Sequence, residues 1–83
     1  MTTITVNIET YGVVKTVLPS TLSLMFNQGN DVYTILKQIG LDYPKSMSLL
    51  EQCACAMGDE IISRSTVLNT DCTLVLLSPV AGG

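Results

Sequence analysis

Apolar and polar residues alternate twice in the first third of the chain. Ile4, Val6 and Ile8 interleave with Thr5, Asn7 and Glu9, which predicts a half-buried strand ended by Tyr11-Gly12. Leu22, Leu24 and Phe26 repeat the pattern between Thr21 and Phe26 and predict a second strand with those three side chains inward. Between them, Val13 to Leu18 fits either a hairpin strand or a loop over the sheet edge, closed by Pro19-Ser20. The period then changes. Val32, Ile35, Leu36 and Ile39 recur at helical spacing and form one apolar stripe. Asn30 is placed as the N-cap, Asp31 in the first turn complements the helix dipole, and Gly40 is expected to end the helix, with Leu41 closing over its last turn.

The second half reads as shorter elements. Lys45 to Glu51 is either a short helix or an irregular crossover. Cys53 to Met57 is a strand of small residues, Gly58-Asp59 a hairpin-type turn, and Glu60 to Ile62 the returning strand. Arg64 to Leu68 is a connection or an edge strand, Asn69 to Asp71 a turn, and Thr73 to Ser78 the last strand. In that last strand Leu74, Val75, Leu76 and Leu77 are all apolar, as in a strand covered on both faces. One long helix covers one face. The other, carrying either Val75 and Leu77 or Leu74 and Leu76, is left for a partner, or for a loop or the short second segment.

Size and composition narrow the classes. The 83 residues make one domain with a modest core, burying roughly 60–65% of the unfolded surface. An apolar share of 47% argues for a folded globule rather than disorder. No apolar run approaches the roughly 20 residues of a membrane helix. Met1 to Ile4 carries no leader pattern, so no membrane partner is expected and the expected location is cytoplasmic. The net charge is −3 and the four bases, Lys15, Lys37, Lys45 and Arg64, stand singly, so nucleic acid is not expected as a partner.

The inventory for catalysis is thin. The chain has no histidine, which removes Ser-His and Cys-His pairs. It also has no phosphate-cradling glycine motif. Asp59-Glu60 is expected to face water. Cys53 and Cys55 fall on one strand face and are read as small buried hydrophobes rather than as a redox or metal pair; Cys72 lies in a turn beside Asp71, which would raise its pKa. No metal site is expected.

The chemistry is instead expected at the end of the chain. Pro79 has no N–H to continue a central strand. Val80, Ala81, Gly82 and Gly83 follow, so the terminal carboxylate has no Cβ beside it for two residues and can thread a narrow channel. It is ionised at pH 7 and is an oxygen nucleophile toward an activated phosphate.

With the β-β-α-β-(β)-β order, Leu77-Ser78-Pro79-Val80-Ala81-Gly82-Gly83 resembles the end of the ubiquitin-like sulfur carriers. These are the small subunit of molybdopterin synthase, which it resembles more closely, and the thiamin-pathway carrier. Leu68 to Asp71 resembles the family turn before the last strand, and Thr21 to Ile39 has its strand-turn-helix layout. Ser78-Pro79 stands where that family often has two prolines. The resemblance implies an α+β fold of the β-grasp (ubiquitin-like) kind. A mixed four- to five-stranded sheet would carry one main helix across one face, with residues 1–78 as the domain and 79–83 as a flexible reactive tail. It further implies a carrier rather than an enzyme, with no bound cofactor. An adenylating enzyme of the ubiquitin-activating type would use Mg-ATP to activate Gly83. A cysteine persulfide would convert it to a thiocarboxylate, for delivery to a partner such as the molybdopterin synthase large subunit. Gly82 would share the channel, and Val75, Leu77, Pro79, Val80 and Ala81 would bind partners. The alternatives to this reading are a carrier for thiamin or another pathway, a modifier joined to lysines through Gly83, and a β-grasp interaction module whose tail is inert.

Overall fold

The computed structural model describes residues 2–79. The strand expected at Ile4 to Ile8 is β1 (Thr3–Tyr11), and its alternation is realised as Ile4, Val6 and Ile8 buried with Asn7 and Glu9 exposed. It pairs antiparallel with β2 (Leu22–Asn27), which buries Leu22, half-buries Leu24 and Phe26, and leaves Met25 exposed. The segment between them is neither strand nor plain loop. A 3-10 turn at Val13–Thr16 drops Val14 into the core, and Leu18 follows it there.

A short strand, β3 (Asn30–Asp31), leads into α1 (Val32–Asp42). Its stripe of Val32, Ile35, Leu36 and Ile39 is buried as expected. Both helix ends differ from the sequence reading. Asn30 pairs with Leu68, so the extended backbone runs one residue further and Asp31 becomes the N-cap, its Oδ1 accepting from Thr34 N–H at 2.9 Å. At the other end Gly40 does not stop the helix. It lies inside, buried under Met47, whose side chain a Cβ would meet at 3.5 Å. Pro44 provides the stop two residues beyond Asp42, and Leu41 is exposed rather than folded over the last turn.

After a 3-10 turn at Pro44–Ser46 comes α2 (Met47–Gln52), then β4 (Ala54–Met57), β5 (Glu60–Ile62), β6 (Val67–Leu68) and β7 (Cys72–Leu77). Arg64 secures the end of α2 by donating through Nη2 to the carbonyls of Leu50 at 2.8 Å and Cys53 at 2.7 Å. β3 and β6 form a two-stranded ribbon. From the segment leading into β6, the Thr66 and Arg64 carbonyls accept the first two helix N–H groups, those of Val32 and Tyr33.

The main sheet has the order β2-β1-β7-β4-β5. Its centre is the parallel pair β1 and β7, with antiparallel neighbours on both sides. The core joins the inner face of this sheet to the α1 stripe and to Leu50, Cys53 and Cys55. A mixed five-stranded sheet with one main helix across one face is the β-grasp, ubiquitin-like fold.

Candidate functional site

β7 is the strand that matters, because it occupies the middle of the sheet and its apolar run faces both sides of it. The choice left open by its apolar run is resolved by burial. Leu74 and Leu76 are fully buried toward α1, while Val75 and Leu77 are half-buried on the opposite face. Register places Val75 between Glu9 and Ala56, and Leu77 between Tyr11 and Ala54. Ile61 stands opposite Ala56 on the sheet edge. Val75, Leu77, Ala54, Ala56, Tyr11 and Ile61 form an apolar strip across the outer face with Glu9 beside Val75, and Tyr11 and Ile61 are 54% and 68% exposed. The five strands carry Glu9 and Glu60 but no lysine or arginine, and all four bases lie on the turns, on α1 or on the segment after β5. Glu60, opposite Met57 and two residues from the core-packed Ile62, lies on the other face, so Glu9 is the one charged side chain that the main sheet presents on the strip's face, which suits a partner surface with an apolar centre and a basic group opposite Glu9.

The strip ends at a clamp. β7 stops pairing as a strand at Leu77, yet Ser78 N–H still donates to the Tyr11 carbonyl at 3.0 Å. The Ser78 hydroxyl donates to the same carbonyl at 2.9 Å and its Oγ accepts the Val14 N–H at 2.9 Å. One residue later the Pro79 carbonyl accepts the Val13 N–H at 3.3 Å. Pro79 thus lacks a donor but still anchors the backbone as an acceptor. All of this requires Gly12. Its φ of 87° and ψ of −154° fall in a region reserved for glycine, and a Cβ there would lie 2.3 Å from the Ser78 carbonyl oxygen.

Of the site residues expected from sequence, Val75 and Leu77 lie on the strip and Pro79 belongs to the clamp through its carbonyl. Val80, Ala81, Gly82 and Gly83 lie outside the described residues. Gly12 and Ser78 were missed as site residues. Gly12 reads in the sequence only as a strand breaker, and the one available signal was a serine where the resembling family often has proline.

The remaining candidates show no reactive arrangement. Cys53 and Cys55 are buried in the core, and desolvation pushes both thiols up. Cys72 is half-buried, and its thiol is raised first by burial and then by the Asp71 charge. Among the described residues no three metal-ligating side chains converge, and no helix is long and apolar enough to cross a membrane. A hollow of about 240 Å³ opens between α1 and α2, lined chiefly by Tyr33, Leu36, Leu41, Met47 and Leu50.

The sheet order and the helix across one face define a β-grasp domain of the ubiquitin-like class. The chain belongs to the ThiS family, whose model matches residues 8–83; this is a ubiquitin-like sulfur carrier family. Among solved structures it is similar to one chain of the complex of subunits 1 and 2 of the molybdopterin-converting factor from Helicobacter pylori. The two are 26% identical with a TM-score of 0.66, covering 96% of this chain and 100% of that one. In fold it also resembles SAMP1 from Haloferax volcanii, with a TM-score of 0.82, 15% identity and coverage of 95% and 99%. The HVO 2177 protein of the same organism gives a TM-score of 0.80 at 14% identity, covering 98% of this chain and 88% of that one. No curated protein sequence matches the chain.

Proposed function

We propose that this domain is a sulfur carrier whose Gly83 carboxylate is adenylated by a ubiquitin-activating-type enzyme and converted to a thiocarboxylate. The observation that carries the reading is the course of β7. It lies at the centre of the sheet, backs an apolar strip free of basic side chains, and is tied off by the clamp only four residues before Gly83. The strip would dock the adenylating enzyme, and the residues after Pro79 would reach its nucleotide.

The chemistry follows from a carboxylate being a poor acyl donor. A Gly83 carboxylate oxygen attacks the α-phosphorus of Mg-ATP, and the bond to pyrophosphate breaks. A persulfide from a cysteine donor then attacks the acyl carbon and AMP leaves. A second thiol cleaves the resulting acyl disulfide, is itself oxidised to a disulfide, and leaves the thiocarboxylate. Gly82 and Gly83 place no side chain beside the reacting carbonyl, which suits a narrow channel.

For the pathway we propose delivery to a large subunit in molybdopterin biosynthesis. The similarity to the Helicobacter pylori complex of subunits 1 and 2 supports this choice over a thiamin-type carrier. The likeness to SAMP1 is of fold alone. A modifier joined to lysines would share the adenylate and would differ in the final acceptor.

The test is ATP–pyrophosphate exchange with the adenylating enzyme of the source organism. The intact chain is expected to support exchange, while deletion of Gly83 or Gly82→Val abolishes it without changing the urea midpoint. Normal exchange by either variant would remove the chain end from the mechanism.

A further inference from the structure

We infer that Ser78 is a positioning residue for activation, holding the base of the tail so that the Gly83 carboxylate approaches the nucleotide from a fixed direction. The inference rests on the sulfur-carrier reading and adds to it a role for a residue outside the Gly-Gly end.

The Ser78 side chain is bonded in both senses, donating to the Tyr11 carbonyl and accepting from Val14 N–H, each at 2.9 Å. The two partners lie on either side of Gly12, so the hydroxyl bridges the end of β1 to the 3-10 turn. Val13 N–H then holds the carbonyl of Pro79, which fixes the backbone one residue beyond the hydroxyl. A proline at position 78 would supply neither the N–H that reaches Tyr11 nor the hydroxyl that reaches Val14. A fixed φ could stiffen a Pro-Pro base; here hydrogen bonds to the Gly12 turn do so.

Geometry makes the direction important. Four residues follow Pro79 and span at most about 14 Å when extended. With so short a reach, a change in the angle at Ser78 moves the whole accessible volume of the carboxylate. Docking through the apolar strip does not depend on that angle. Loss of the hydroxyl should therefore lower turnover in the bound complex and leave complex formation alone, since misplacement of a reacting group costs rate rather than affinity.

The experiment measures kcat and KM for the carrier in ATP–pyrophosphate exchange with the same adenylating enzyme, alongside amide hydrogen exchange. For Ser78→Ala we expect kcat to fall about 10- to 100-fold with KM within about twofold. The Val14 amide should lose protection while the Leu74 and Leu76 amides keep theirs, which shows that the fold is intact. Ser78→Thr, which retains the hydroxyl, should restore most of kcat. An unchanged kcat, a loss carried by KM, or a Val14 amide that is already unprotected in the parent protein overturns the inference. If the parent chain supports no exchange at all, the sulfur-carrier reading falls and the role of Ser78 in it falls too. If the parent is active and Ser78→Ala equals it, only the positioning role falls.

Discussion

Replacing Gly12 by alanine measures how much the close approach of β7 to the 3-10 turn contributes. Two costs arise. An alanine at φ 87°, ψ −154° occupies a region that side chains avoid, at about 1–3 kcal/mol. Its Cβ would also sit 2.3 Å from the backbone oxygen of Ser78, which has no soft side chain to yield. The strand end must move, which breaks at least the Val14–Ser78 and Val13–Pro79 hydrogen bonds, each worth about 0.5–1.5 kcal/mol. The total is about 2–6 kcal/mol, a large part of the stability of a domain this size. Gly29→Ala is the control: φ there is +96° and a Cβ meets nothing within 4 Å, so it carries strain without the collision. Urea unfolding followed by circular dichroism should place Gly12→Ala below Gly29→Ala by about 1–3 kcal/mol at equal m-value. Equal midpoints for the two variants would refute the claim that Gly12 exists to admit the Ser78 backbone.

Further outcomes follow from other residues. Ile35 is fully buried in the α1 stripe, so Ile35→Ala should cost about 2–5 kcal/mol by urea unfolding. Ile61 is 68% exposed on the apolar strip, so Ile61→Lys should change stability by no more than about 0.5 kcal/mol while raising KM for the adenylating enzyme. Unchanged KM would show that docking does not use this edge of the strip. Asp31 has its carboxyl lowered from 3.8, first by the Thr34 hydroxyl and then by the Thr34 N–H. A depressed folded pKa contributes stability that is complete above 3.8 and lost as pH falls through the folded value. The acid limb of the stability profile should accordingly be shallower in Asp31→Asn than in the parent. Thiol titration at pH 8 should find at most one slowly reacting cysteine, Cys72, in the native protein, and three after unfolding.

The parts of the fold that sequence reveals are those set by periodicity. Ile4, Val6 and Ile8 alternate because β1 has one face on the core, and Val32 to Ile39 follow a 3.6 period because α1 lies across that face. What the pattern hides depends on contacts far along the chain. Asn30 is as good a cap as Asp31 until Leu68 arrives to pair with it. Gly40 looks like a helix end until Met47 packs over it. Val14 and Leu18 enter the core from a turn, which has no period to show. Arg64 reaches back over ten residues to the carbonyls that end α2.

The candidate site was half legible for the same reason. Val75 and Leu77 stood out because four consecutive apolar residues cannot all face one helix, and register and burial then chose the outward pair. The clamp could not be read, because Gly12 and Ser78 lie 66 positions apart and meet only when β1 and β7 run parallel. Two parallel strands side by side put both their C-terminal ends at the same edge. That places the turn after β1 against the base of the tail after β7.

The central claim is tested most directly by the intact mass of the chain isolated from its own cells, with and without the adenylating enzyme. The account predicts a fraction heavier by one oxygen-to-sulfur exchange, localised to Gly83 by fragmentation and absent when the enzyme is missing. A chain that keeps its unmodified mass whether or not the enzyme is present would contradict it.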